Sequence, residues 1–102
     1  MLLLGLNTLV INAQDFCNSL GNATPNPNTG KVRINVNILE KDAKYATLNI
    51  YDLTGRLIIS KSLQKGNQSL TFDLSHYNNG MYFYCLNING KNRVTKKLVL
   101  QK

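Results

Sequence analysis

The chain has 102 residues, of which 43% are hydrophobic and 17% are charged. These proportions are those of an ordinary globular protein and exclude a disordered chain of low hydrophobicity and high charge. At this length we expect a single domain that buries roughly 60–65% of its unfolded surface, which leaves little space for an enzyme's internal pocket. The net charge is +7, but the basic residues are dispersed, as on a solvated surface.

The chain opens with an apolar run without charges over residues 2–11, which the small residue Ala13 closes. The run is too short for a spanning helix, which needs about 20 apolar residues, and is typical of a secretory signal peptide. We therefore predict a signal peptide over residues 1–13 and a mature chain without a transmembrane segment. No Lys or Arg precedes the run, as expected if the peptide is truncated at its start; a buried N-terminal strand or helix is the alternative reading.

The two cysteines are Cys17 and Cys85. An exported chain can form disulfides, but this spacing does not specify a bridge, so the pairing stays open. Residues 14–16 are not the small and aliphatic residues that lipoprotein processing requires, so we expect no lipid on Cys17.

Residues 18–30 are mainly Asn, Gly, Thr, Ser and Pro, which predicts an irregular lead-in. Pro25 and Pro27 favour extended backbone. We therefore predict a linker over residues 14–24 and a folded domain over residues 25–102.

The folded part shows a period of two, with apolar and polar residues in alternation. Turn residues separate the alternating stretches at 52–55, at Gly66-Asn67 and at 78–80. Asn89-Gly90 is the strongest hairpin signal, because both residue types tolerate positive φ. We predict six strands, over residues 31–38, 46–51, 56–63, 70–74, 81–88 and 93–100.

Short strands at close spacing, with no helical stretch between them, predict an all-β fold. We expect an immunoglobulin-like antiparallel β-sandwich of six to seven strands. Tyr82 follows the end of the predicted fourth strand closely, a position typical of the tyrosine corner of such sandwiches. This placement makes Tyr82 a structural residue.

The residues needed for catalysis are sparse. His76 is the single histidine and falls in a predicted loop, so neither a nucleophile with its base nor a usual zinc site is indicated. Phosphate-binding glycine motifs are also missing. We expect no enzyme, no metal and no cofactor. The carboxylates are scattered, at Asp15, Glu40, Asp42, Asp52 and Asp73.

Four blocks in fixed order carry a resemblance to a known family. They are Asn-Pro-Asn-Thr-Gly at 26–30, Leu-Asn-Ile-Tyr-Asp-Leu-Thr-Gly-Arg at 48–56, Gly-Met-Tyr-Phe-Tyr at 80–84 and Thr-Lys-Lys-Leu-Val at 95–99. Together they closely resemble the C-terminal sorting domain of the type IX secretion system, over about residues 25–102.

The resemblance implies an immunoglobulin-like domain at the end of cargo that crosses the inner membrane by the Sec route. It implies recognition by the outer-membrane translocon and a secreted or cell-surface location. In many members a sortase removes the domain and joins the cargo to an anionic lipopolysaccharide, while other cargo is released. Little or no passenger is expected here, between Ala13 and Pro25.

The resemblance also assigns site residues by position. The expected segment for translocon recognition consists of Lys96, Lys97, Leu98, Val99, Leu100, Gln101 and Lys102. The motif positions, most of which are expected to shape turns, are Asn26, Pro27, Gly30, Asp52, Gly55, Arg56, Gly80 and Tyr82. Alternation places Leu98 and Leu100 on one face of the last strand and Lys97 on the other.

Two other functions compete with the sorting role. One is a free secreted β-sandwich that binds or adheres to anionic glycans through a basic or aromatic patch. The other is nucleic-acid binding, which we do not expect, because no nucleic-acid-binding module fits and an exported chain rarely meets nucleic acid.

Overall fold

The computed structural model describes residues 18–39, 41 and 43–102. The predicted signal peptide and Cys17 lie outside these residues, so the question whether Cys17 pairs with Cys85 stays open. The described part of the chain contains seven strands and no helix. The strands are β1 (Asn18–Leu20), β2 (Lys31–Ile38), β3 (Ala46–Tyr51), β4 (Leu57–Ser62), β5 (Gly66–Asp73), β6 (Gly80–Ile88) and β7 (Lys91–Leu100).

The strands form two antiparallel sheets. One sheet has the order β1-β2-β5 and the other the order β4-β3-β6-β7. The chain changes sheet between β2 and β3, between β4 and β5, and again between β5 and β6, as in immunoglobulin-like domains. The predicted antiparallel β-sandwich is confirmed.

The core lies between the two sheets and follows from the alternation in the sequence. In β2 the apolar residues are at most 1% exposed, while Lys31, Arg33 and Asn35 between them face solvent. β3, β6 and β7 supply the opposing apolar side chains, among them Leu48, Leu86 and Leu98. Each buried aliphatic side chain of this kind contributes about 1.5–3 kcal/mol, so the alternation decides which face of each sheet turns inward.

The strands match the predictions with small changes at their ends. The Asn89-Gly90 turn is confirmed, with φ of 52° and 85°, and it joins β6 to β7. β7 begins at Lys91, two residues before the predicted start. The turn predicted at Gly66-Asn67 is wrong, because both residues pair with the end of β2 as the first residues of β5.

The segment before Pro25 is part of the sandwich, and here the predicted irregular lead-in needs correction. β1 pairs with residues 36–38 of β2, and Thr24 pairs with Arg33 further along the same strand. Leu20 and Ala23 are buried in the core. The ordered contacts therefore begin before the residue at which the sequence predicts the domain to start.

Tyr84 ties this N-terminal segment to the other sheet. The amide of Ala23 donates to the Tyr84 hydroxyl at 2.9 Å, and the hydroxyl donates to the carbonyl of Gly21 at 2.9 Å. Burial raises the pKa of Tyr84, so the hydroxyl keeps its proton and can serve both partners.

We expect Tyr84→Phe to lower the free energy of unfolding by about 1–3 kcal/mol, because the buried amide of Ala23 loses its acceptor. Chemical denaturation at neutral pH measures this change. Tyr45→Phe is the control, since the Tyr45 side chain is 77% exposed. Equal unfolding midpoints for Tyr84→Phe and the unchanged protein would contradict the role of this hydroxyl.

Candidate functional site

The motif residues that are scattered in the sequence meet at one end of the sandwich. β3, β5 and β7 end there, and β2, β4 and β6 begin there. We call this end the motif pole and define it by residues 26–30, 52–56, 75–82 and 97–102. The segments that carry the predicted site residues are therefore neighbours in space.

The first motif holds the last strand. Beyond Thr24 the chain leaves β2 and runs beside the end of β7, with a parallel bridge between Asn28 and Leu100. The amide of Asn28 donates to the carbonyl of Val99 at 2.9 Å, and the amide of Gln101 donates to the carbonyl of Asn28 at 2.8 Å. These bonds cover the outer edge of β7 near its end.

The side chain of Asn26 extends the same contact. Its Oδ1 accepts a hydrogen bond from the amide of Val99 at 2.8 Å, and its Nδ2 donates to the carbonyl of Lys97 at 3.3 Å. The resemblance treats Asn26 as one of the motif positions that mostly shape turns. In the structure it pairs with the backbone of the terminal strand, while Pro27 is exposed beside it.

Asn28 and Gly30 form the turn that leads from this segment into β2. Asn28 is 1% exposed, and its Nδ2 donates to the carbonyl of Val99 while its Oδ1 accepts from the amide of Gly30. Gly30 has φ of 142°, and a Cβ atom there would lie 3.3 Å from Cβ of Ser75. This position therefore requires glycine for its conformation and for its close packing.

The predicted recognition segment is a folded strand end rather than a free tail. Leu98 and Leu100 are at most 1% exposed, and Lys97 is on the exposed face, as the alternation predicts. The amide of Lys102 donates to Oδ1 of Asn79, and its Nζ donates to the carbonyls of Ser75 and Tyr77. These bonds fasten the end of the chain to the loop before β6.

Lys96 lies apart from the motif pole. Its side chain is half-buried, and Nζ donates to Oδ1 of Asn22 at 3.0 Å. Lys96 pairs with Tyr84, which places it on the inner side of the edge strand β7. An inward-pointing charge of this kind is a known protection of edge strands against pairing with other chains.

The loop between β3 and β4 is organised by one carboxylate. Oδ1 of Asp52 accepts hydrogen bonds from the amides of Thr54 and Arg56 and from the Thr54 hydroxyl, at 2.6–3.0 Å. Oδ2 lies 3.3 Å from Nε of Arg56. Gly55 has φ of 88°, which lets the chain turn back toward β4. Hydrogen bonds from Thr54 and Arg56 hold the pKa of Asp52 below its usual value.

Tyr82 forms the predicted tyrosine corner. Its hydroxyl donates to the carbonyl of Asn78, four residues earlier in the chain. Burial and the nearby charge of Asp52 raise the pKa of Tyr82, so the hydroxyl stays a donor. Gly80, with φ of 149°, begins β6 opposite Leu100.

The two loops of the pole enclose a shallow open cavity of about 310 Å³. Asp52 and Arg56 line one side, and His76, Asn78 and Tyr82 line the other. Within the described residues, no three side chains of the His, Cys, Asp and Glu types are placed to hold a metal ion.

Sequence reasoning missed three asparagines of this arrangement: Asn22, Asn28 and Asn79. Their partners, Lys96, Val99 and Lys102, are far away in sequence, so no local pattern reveals these contacts. The turn of Asn28 does carry a local signal, because an Asn two residues before a Gly often forms a turn with its side chain.

Across the part of the chain that the structure describes, we find no helix with the length and apolar character that a membrane span requires.

We expect Asn26→Ala to accelerate hydrogen exchange at the Val99 amide by about two- to tenfold, because that amide loses its acceptor. The amide of Leu98 is the internal control, since Leu98 pairs with Tyr82 inside the sheet. Exchange measured by NMR tests the contact. Unchanged protection of Val99 would show that Asn26 does not hold the strand.

The lowered pKa of Asp52 gives a pH dependence with a defined sign. Its contribution to stability is present above the ordinary carboxyl value of 3.8 and is lost as the pH falls through the folded-state pKa. Between about pH 5 and pH 2 the unfolding midpoint of Asp52→Asn should therefore fall less than that of the unchanged protein. Asp73, which also has a lowered pKa, is retained in both proteins. Unfolding midpoints that fall equally with pH in the two proteins would contradict the contribution of Asp52 to stability.

Of three comparisons with known proteins, one gave a match. No curated protein and no solved structure gave a significant match. A family model described as "Secretion system C-terminal sorting domain" matches residues 22–101, which include all four blocks. The match gives no support to a free glycan-binding module. It implies that the chain interacts with the secretion system and is exported to the cell surface or the medium. The chain belongs to the family of type IX secretion C-terminal sorting domains.

Proposed function

We propose that the motif pole is the address by which the outer-membrane translocon of the type IX system recognises this chain. The observation that carries the proposal is the contact between residues 26–28 and the end of β7. Because of it, the terminal segment reaches a receptor as an ordered strand with Lys97 on its exposed face. Ordered presentation reduces the entropy lost on binding.

In the recognition segment, the exposed side chains are the ones that a receptor can contact. Leu98 and Leu100 pack in the core, so they support the strand and are not available to a receptor. The side chains of Lys97 and Gln101 are exposed. We therefore assign direct recognition to these residues and to the neighbouring loops of the pole, and a supporting role to the leucines.

Sec export, sortase cleavage and attachment to anionic lipopolysaccharide complete the proposed route. The signal peptide over residues 1–13 would deliver the chain to the periplasm. A sortase cut is expected before residue 18, because β1 and Ala23 belong to the sandwich and a cut within 18–24 would detach buried residues. The domain itself acts by being recognised, and we propose no catalytic activity for it.

The test places the chain from residue 14 behind a signal peptide that the host is known to export. The host is a Gram-negative cell with the type IX system, compared with the same strain lacking the translocon. We expect the chain at the surface or in the medium only when the translocon is present. Retention in the periplasm of the competent strain would overturn the proposal.

The native N-terminus of the exported chain provides a separate result. Mass spectrometry of the full chain expressed in the competent strain should show a mature start at Gln14, or a later start before residue 18 if a sortase has cut. A peptide that begins within residues 18–24 would contradict the proposed position of the cut. An intact Met1 would contradict the signal peptide without affecting the role of the pole.

Deletion of residues 96–102 is a poor test of recognition, because it also removes Leu98 and Leu100 from the core. Loss of export could then follow from unfolding alone. Substitutions at exposed positions separate the two effects.

A further inference from the structure

An apolar patch lies on the outer face of the four-stranded sheet, at the motif pole. Tyr51 is paired with Leu57 of β4 on one side and with Phe83 of β6 on the other. Met81 is two residues from Phe83 and faces the same way. Leu53, in the adjoining loop, lines a shallow groove together with Tyr51 and Phe83. We call these five residues the outer patch.

The outer patch is exposed to a degree that the fold does not require. Leu53 is 64% exposed, Leu57 50% and Met81 37%. The outer face of the other sheet is polar, with Lys31, Arg33 and similar residues along β2. An antiparallel sheet of this kind usually turns a polar face to water, and contiguous exposed apolar residues commonly mark an interaction surface.

The loop that carries Leu53 also needs no apolar residue at that position. Asp52 and Gly55 fix the course of the loop through hydrogen bonds and positive φ. The turn would therefore form with a polar residue in place of Leu53. The fold therefore does not explain why residue 53 is apolar, whereas contact with a partner does.

Positive charge borders the patch. Lys97 pairs with Phe83 at one end of the row, and the Arg56 side chain is 78% exposed at the other. Asp52, the carboxylate of the adjoining loop, has both oxygens engaged within the loop. Residues 91–102 hold five cations and no acid, and of these Lys97 borders the patch. Lys91 lies at the other end of β7, Lys96 bonds to Asn22, and Lys102 bonds to the carbonyls of Ser75 and Tyr77.

We propose that the outer patch is the docking surface for a protein component of the secretion machinery, which presents an apolar surface bordered by carboxylates. The inference rests on the proposed function and assigns the contact to particular side chains. Apolar contact in the centre supplies affinity, and the charges at the rim supply orientation and specificity. Lys97 belongs both to the terminal segment and to the rim of the patch.

The experiment uses the export assay described above, with the double variant Leu53→Asp/Met81→Asp. We expect at least a tenfold loss of surface and medium protein, because two carboxylates would be desolvated against an apolar, acidic partner. Tyr45→Asp is the matched control: its side chain is 77% exposed at the opposite end of the sandwich, and export should be unchanged. The conservative pair Leu53→Met/Met81→Leu should also retain export.

Folding is checked from the thermal unfolding midpoint of each purified variant. If the double variant unfolds, Lys97→Glu decides alone, because no hydrogen bond joins the Lys97 side chain to another of the described residues. Reversal of this charge should lower export by at least fivefold at an unchanged midpoint. Full export of folded Lys97→Glu, or of the folded double variant, would overturn the outer patch as the docking surface.

The remaining outcomes also separate the hypotheses. Failure of the unchanged chain to leave the periplasm overturns the proposed function itself. Export that persists in the double variant leaves the proposed function intact and rejects only the patch. Binding to vesicles of anionic phospholipid that is lost in the double variant, while export is kept, would assign the patch to a membrane surface and overturn the protein partner.

Discussion

The structure depends on the hydrogen bonds between residues 26–28 and the end of β7. An edge strand leaves a row of backbone donors and acceptors without partners in its own sheet. Here the backbone of Asn28 and the side chain of Asn26 satisfy the amides and carbonyls around Val99. A side-chain amide suits this role because it donates and accepts at once. The contact joins the segment that leads into β2 to the end of β7.

This constraint limits how the terminal segment can be recognised. A partner could add a strand to an edge only where backbone groups are open. The carbonyl of Lys97, both backbone groups of Val99 and the amide of Gln101 already pair with the N-terminal segment, and Leu98 and Leu100 fill the core. A receptor therefore meets the outward side chains of the strand and the loops that surround it. The outer patch and the basic side chain of Lys97 at its rim are the groups that remain available to a receptor.

Much of the fold follows from the sequence, because the alternation of apolar and polar residues identifies the strands and the buried face of each. The Asn89-Gly90 hairpin and the Tyr82 corner were predictable from local chemistry. The pairing of Asn26 with Val99 was not, since the two residues are 73 positions apart. β1 was missed because three residues without alternation give no strand signal, and their pairing with residues 36–38 of β2 is not visible in the local sequence. The outer patch could not be predicted because it depends on the register of β3, β4 and β6, which alternation alone does not provide.

The polar network and the outer patch are parts of one surface because they share the loop of Asp52. Hydrogen bonds from Thr54 and Arg56 fix that loop, and Leu53 is held beside Phe83 as a consequence. A mobile loop would have to be ordered on binding, at a cost in entropy for each residue. A preorganised loop avoids much of that cost. The motif that shapes the turn thus also positions the apolar side chain, so under the proposed docking Asp52 and Gly55 would serve recognition by holding Leu53 in place.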